Sequence, residues 1–466
     1  MKKLIFLFLI PLFVLFSSCQ KESLLDKIPA DASLVVSVDP RKMMEADSQT
    51  EEFNQLLATL YGISLKDLNE LKENIEKCGI DWSKKFYLFT SANGSEPTFL
   101  FPIANKGNFE SYLDAQHQAG HVDDIQSSDL FRWRIVHGKG LLAYTDNVAA
   151  FVAAPLLPKE SILARLRKLW TQGEKQSFTG SPNYAKFEAL DAASVHFFLS
   201  GTVLPSSLLS GWASLLLPFS SSLSEIDIVG ALTATSEKIT CTAEYYSNNE
   251  ELQEFMRRRT LDVNALSGNL FKYLPAETPF CLITKANLLT SAFEKRPELK
   301  TGLTLMSFST DLPLFEMLQS LTGEQLISVL PSTEEKSLPL AFYAECRAEQ
   351  MEKLVRNNSP LVIPGIGEVS IGLKQSIFYL STTPPTEASA SIKDAGYSAL
   401  RDGELLAYMH IKPVELLTML SKQDHYTGGD YIETITPLLS TGVQAVEAAF
   451  LTDRRIEINI YRTSRK

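Results

Sequence analysis

One proline-centred stretch comes back along the chain, and it limits the architecture more than any other feature. Ile28-Pro-Ala-Asp-Ala-Ser-Leu-Val-Val-Ser-Val-Asp-Pro-Arg-Lys-Met-Met44 reads as a turn, a short buried strand and a helix start. Pro29 stops a preceding helix, Asp31 suits a turn, and Asp39-Pro40 supplies an N-cap followed by proline at the first helical position. Leu274-Pro-Ala-Glu-Thr-Pro-Phe-Cys-Leu-Ile-Thr-Lys-Ala-Asn-Leu-Leu289 repeats the plan, and fainter copies run over 190–204 and 400–414.

Further stations recur in the same order. Pro97-Thr-Phe-Leu-Phe-Pro-Ile-Ala104 matches Pro339-Leu-Ala-Phe-Tyr-Ala-Glu-Cys346, and 148–155 matches 377–384. Thr235-Ser-Glu-Lys-Ile239 matches Thr452-Asp-Arg-Arg-Ile456. Matched stations in constant order, with loops of changing length between them, predict a duplicated domain: a first repeat over 25–260 and a second over 265–466.

Strands are predicted mostly in adjacent pairs. Examples are 131–136 with 141–145 around Gly138-Lys-Gly140, and 227–234 with 239–246. Asn93-Gly94 marks another turn, and helices are expected through Leu60 and over 64–77, 107–118, 159–171 and 208–217. This rhythm predicts an α+β fold of two tandem, similar domains, each a mainly antiparallel or mixed sheet with helices packed on one face. A doubly wound sheet is the runner-up.

The amino-terminal stretch reads as an address. Lys2 and Lys3 precede the apolar run Leu4–Phe16, which is shorter than the roughly 20 residues of a membrane span. Ser17-Ser18-Cys19 follow. Small residues directly before a Cys resemble the lipobox of bacterial lipoproteins. The resemblance implies a signal peptide over 1–18, diacylglycerol on Cys19, and acylation of the new amino terminus with a fatty acid such as palmitate. Residues 19–24 are then a tether, and the expected location is the outer membrane, its face left open. With the IPADASLVVSVD opening and the duplicated plan, the chain resembles an uncharacterised family of Bacteroides-type lipoproteins, a domain of unknown function. That resemblance implies an envelope location and carries over no catalytic residues.

Chemistry is sparse. The formal charge is -11 without a basic cluster, which argues against nucleic acid as a partner. Cys78, Cys241, Cys281 and Cys346 form no C-x-x-C pair and read as small apolar residues, with a Cys281–Cys346 disulfide left open in an oxidising envelope. His117 and His121, with Asp123 and Asp124 beyond, have a spacing that can put two metal ligands on one helix face. Gly120 interrupts the segment, and a solvated helix end is the preferred reading. His137, His196, His410 and His425 are scattered singly, and Asp123-Asp124 and Glu334-Glu335 read as solvated loops. Trp82, Trp133 and Trp170 read as core, and the apolar segment around Trp212 as buried between sheet and neighbour. No catalytic, metal or cofactor residue is assigned. The expectation is a membrane-anchored, non-enzymatic binding or scaffold protein, partnered by the membrane and by an unknown envelope protein or glycan. The alternative is an envelope hydrolase of glycan or peptide, with acids gathered from distant loops.

Overall fold

The computed structural model describes residues 24–45, 77–91, 96–154, 156–203, 223–235, 237–262, 265–285, 301, 304, 307, 313–332, 338–355, 360–363, 367–397, 400, 404–421, 443–451 and 454–462. The helix expected from Asp39-Pro40 is present over Pro40–Glu45. The signal segment, Cys19, the rest of that segment through Leu60, residues 64–76, Asn93-Gly94, the segment around Trp212, Glu334-Glu335 and His425 lie outside the described residues. By compactness the chain divides into two units, one of residues 1–40 and 70–189, the other of 41–69 and 190–466.

In the first unit the strands are β1 (Leu34–Val38), β2 (Phe86–Thr90), β3 (Thr98–Pro102), β4 (Gln126–Ser127), β5 (Arg132–Val136), β6 (Gly140–Tyr144) and β7 (Val148–Val152). The helix α1 (Lys106–Gln118) lies between β3 and β4, and α2 (Lys159–Thr171) and a short helix at Tyr184–Glu188 follow the last strand. The sheet order is β4-β5-β6-β7-β3-β2-β1, antiparallel at each pairing. Every residue of β6 is buried, as expected of an apolar run inside a sheet. The Asn105 side chain caps α1 by accepting from the Asn108 amide at 3.0 Å, and Phe109 and Leu113 bury one face against Leu142 and Tyr144. Gly79 holds φ at +76° where the chain enters this core. Its carbonyl accepts from Ala104 and Asn105, and a Cβ there would stand 2.3 Å from the Asn105 carbonyl oxygen. Ile162, Leu166 and Leu169, at i, i+4 and i+7, bury one stripe of α2.

The second unit holds β8 (Val195–Ser200), β9 (Asp227–Ala234), β10 (Lys238–Tyr246), α3 (Glu250–Asp262) and β11 (Phe280–Lys285). Then come α4 (Leu314–Ser320), β12 (Leu321–Val329), β13 (Leu340–Cys346), α5 (Ala348–Val355), β14 (Leu361–Ile363), β15 (Gly367–Lys374), β16 (Ile377–Ser381), β17 (Leu405–Ile411), α6 (Pro413–Ser421), β18 (Val443–Leu451) and β19 (Arg455–Arg462). Strand order is β14-β15-β16-β13-β12-β11-β17-β18-β19-β10-β9-β8, again antiparallel throughout. One core of this unit gathers Leu270, Phe271, Tyr273, Leu274, Cys281, Ile283, Tyr343 and Tyr408, with edge-on ring contacts Phe271–Tyr408 and Tyr273–Tyr343. The fold is mixed α+β, with antiparallel sheet predominant and helices few.

Cys281 and Cys346 are free thiols. They lie on β11 and β13, opposite Ser328 and Leu321 of the intervening β12, so their stations are roughly 20 Å apart along that strand. Disulfide geometry requires Cα atoms within about 7 Å. Cys78, Cys281 and Cys346 are buried, as expected of small apolar residues, and Cys241 is half-buried.

Candidate functional site

In the first unit, one end of α1 meets the β5–β6 hairpin. The helix stops after Gln118, and Gly120 turns the chain at φ +75°. The segment 121–124 then runs back along β5. Its Asp123 amide donates to the Ile135 carbonyl at 2.9 Å, and the His137 amide donates to the His121 carbonyl at 3.1 Å. The result is an open pocket of about 420 Å3 whose lining includes His117, Asp123, Asp124, Trp133, His137 and Lys159.

Each pocket histidine is committed at both ring nitrogens. His117 Nδ1 donates to the Val122 carbonyl at 2.9 Å, and its Nε2 stands 3.1 Å from Asp124 Oδ1. His137 Nδ1 donates to the Gly120 carbonyl at 2.8 Å, and its Nε2 to Asp123 Oδ1 at 2.5 Å. An imidazole can donate from both nitrogens only when doubly protonated. The Asp123 carboxylate, helped by the Gly120 carbonyl, accordingly raises the His137 pKa above its usual value. Lys159 Nζ lies 5.5 Å from the centroid of the Trp133 ring, and Trp133 itself is buried.

His117, Asp123 and Asp124 thus come together, but as separate histidine–carboxylate pairs, His117 with Asp124 and His137 with Asp123, and not as a metal cage. His121 instead faces the Gln116 side chain at 2.9 Å. Among the described residues no group of three or more His, Cys, Asp or Glu is placed to hold a metal ion. His137 is the member that the sequence reading missed. The turn glycines on either side of Lys139 announce the hairpin that carries it, but nothing local says that this hairpin closes on the end of α1.

The second unit carries a different constellation. Register aligns Ser328, Cys281, His410, Glu447, Asn459 and Thr240 directly opposite one another on β12, β11, β17, β18, β19 and β10. Direct partners share a sheet face, so the six form one polar seam. Cys281, His410, Glu447 and Asn459 are fully buried. Asn459 donates to Glu447 Oε2 at 3.1 Å and accepts from Thr240 Oγ1 at 2.9 Å, and the Tyr461 hydroxyl donates to the same Glu447 oxygen at 2.8 Å. The Tyr397 ring lies 4.4 Å from that of His410.

Cys-His-Glu in series has the composition of a nucleophilic triad, yet the environment works against that chemistry. Burial pushes the Cys281 thiol far above its usual range, which keeps it protonated, whereas nucleophilic attack needs thiolate. Neither ring nitrogen of His410 has a hydrogen-bond partner among the described residues, and burial, with Lys412 nearby, lowers its pKa to about 4. His410 is therefore neutral at pH 7. The seam is structural.

An antiparallel α+β protein with an open polar pocket in its first unit is the class these features define. The chain belongs to the family described as Domain of unknown function (DUF4836), whose model matches residues 25–335. No curated protein matches it. Among solved structures it is similar to crystal form III of TP0453, at 11% identity over 51% of this chain and 87% of that one, TM-score 0.30. Crystal form I of TP0453 gives 11% identity, 53% and 88% coverage and a TM-score of 0.31. The 5-dimethylallyltryptophan synthase from Streptomyces coelicolor gives 11% identity, 59% and 79% coverage and a TM-score of 0.11. Overlaps this loose carry no inference about the chain.

Proposed function

We propose that this protein is a Bacteroides-type lipoprotein of the outer membrane, held by lipid on Cys19, and that it binds or scaffolds an envelope component without catalysis. The observation that carries the address is the run Leu4–Phe16 ending in Ser17-Ser18-Cys19. Two or three acyl chains suffice for stable anchoring, at ~0.8 kcal/mol per buried CH2. The non-enzymatic reading draws on the pocket, where both rings of the His117/His137 pair already spend their nitrogens on chain carbonyls and carboxylates.

Two tandem domains, 25–260 and 265–466, belong to the same proposal. A matching clasp supports the duplication. Pro29 bridges Ser177 and Pro275 bridges Ser391. Around the first, the Ala30 amide donates to Gln176, Phe178 to Ile28, and Ala32 to Pro29; around the second, Ala276 donates to Ala390, Ile392 to Leu274, and Thr278 to Pro275. Phe178 and Ile392 are both fully buried in these clasps. Strand orders β5-β6-β7-β3-β2-β1 and β14-β15-β16-β13-β12-β11 correspond as well.

The test is Cys19→Ala in the native host. The wild-type chain is expected in the outer-membrane fraction carrying a metabolically incorporated fatty acid, and the variant unlabelled and released after export. A variant that still sediments with membranes overturns the anchor. Protease shaving of intact cells then reports which face of the membrane carries the folded chain.

A further inference from the structure

The address reading and the first unit's geometry together single out the rim of that unit nearest a membrane. The first described element, a 3-10 turn at Leu24–Lys27, begins five residues after Cys19. Whatever the intervening residues do, five steps of chain span at most about 17 Å. The turn is itself bound into the unit. Gln172, just past the end of α2, donates its side-chain amide to the Asp26 carbonyl at 2.6 Å and to the Ile28 carbonyl at 3.1 Å. Thr179 Oγ1 donates to Asp26 Oδ1 at 2.9 Å. Lipid on Cys19 therefore keeps this rim within that reach of the bilayer.

We infer that the rim formed by Leu24–Lys27, Glu174–Gln176 and Phe178–Gly180 rests against the phospholipid headgroups. Its outer side chains suit that layer. Glu174, Lys175 and Gln176 are exposed and polar, able to hydrogen-bond with headgroups and costly to bury in hydrocarbon. The hydroxyls of Ser177 and Thr179 are satisfied within the unit, so the rim keeps its shape on contact. At the other end of α2, about 18 Å away along the helix, stand Lys159 in the pocket and Leu156, which is 95% exposed. That exposed leucine is thereby placed outside the footprint. This inference rests on the lipidation of Cys19.

The experiment uses the full lipidated chain in vesicles of phosphatidylethanolamine and phosphatidylglycerol with a headgroup-attached nitroxide lipid. A fluorophore is placed on Lys175→Cys or on Leu156→Cys, both at exposed positions, and each signal is read as the difference from the unsubstituted chain treated in parallel. Mass spectrometry of Cys19 and flotation with the vesicles are measured first, and a chain that is unlipidated or does not float overturns the address reading itself. For a chain that is lipidated and floats, strong quenching at Lys175→Cys with little at Leu156→Cys is the expected result. Equal quenching at both positions, or stronger quenching at Leu156→Cys, overturns the inferred footprint while leaving the anchor intact.

Discussion

His410 and Glu447 face each other directly across β17 and β18, both fully buried, with Cys281 on one side and Asn459 on the other. A neutral histidine in this position makes acid a specific threat. Its pKa is lowered to about 4 in the fold, against about 6.5 in an unfolded chain. Above pH 6.5 neither state is protonated and the fold keeps its full stability. As pH falls from 6.5 toward 4, the unfolded chain takes up a proton that the folded chain refuses, and up to about 3 kcal/mol is lost. His410→Leu removes the titration and a buried polar ring of similar size. Urea unfolding at pH 7 is expected to differ from wild type by less than about 1.5 kcal/mol. At pH 4.5 the variant is expected to be the more stable chain, and equal acid sensitivity in both would assign the loss to other groups.

The pocket clasp has the opposite sign. The His137 pKa is raised by Asp123 and by the Gly120 carbonyl, so its contribution is complete below the unfolded value and fades as pH rises through the folded one. Asp123→Asn should bring the His137 titration down, as followed by ring carbon shifts in NMR. In wild type, exchange of the Asp123 amide should quicken on the alkaline side of that titration. If Asp123→Asn leaves the His137 titration where it was, the pair does not exist in solution.

Glu324 is a fully buried carboxylate spent on local structure. It accepts from the Ser267 hydroxyl at 2.9 Å, the Gly268 amide at 2.6 Å and the Leu270 amide at 3.2 Å. Those donors shape the entry to the 3-10 turn Asn269–Tyr273, whose Leu270, Phe271 and Tyr273 enter the core. Glu324→Ala strands the buried Leu270 amide and the part-buried Gly268 amide and Ser267 hydroxyl, at about 1–3 kcal/mol for a fully buried donor and less for the others. A loss on the order of 3 kcal/mol or more in chemical denaturation is expected, with Glu324→Gln intermediate.

Two glycines separate strain from crowding. Gly79 and Gly138 both have positive φ, but a Cβ at Gly138 would meet nothing, whereas at Gly79 it would meet the Asn105 carbonyl and the Phe109 amide. Gly138→Ala should cost about 1–2 kcal/mol, the price of a left-handed alanine. Gly79→Ala should cost distinctly more, because backbone atoms at 2.3 and 2.6 Å cannot rotate aside. Equal melting temperatures for the two variants would contradict that distinction.

The contrast between the two candidate sites explains what a sequence can disclose. Pro29 and Pro275 were legible because proline constrains its own neighbourhood, and the hairpin at Gly138-Lys-Gly140 was legible because turn glycines sit inside the turn they make. The seam was not. Cys281, His410, Glu447 and Asn459 are spread over nearly two hundred positions, and only strand register brings them opposite one another. Read singly, Cys281 was a small apolar residue and His410 a stray histidine. The pocket was half legible: His117, Asp123 and Asp124 are close in sequence, but His137 arrives by a packing contact that no local pattern encodes.

The pairing of β10 with β19 bears on how the chain tolerates truncation. Cys241 stands opposite Ile458 at the middle of that pair, with β9 on one flank and β18 on the other. A chain cut before Val443 would leave β10 with a bare edge of unsatisfied amides and carbonyls, the kind of template that recruits another strand. The last two strands are a cover as much as a domain component. Nicking by a protease ahead of them would turn a paired strand into a starting point for fibrous association.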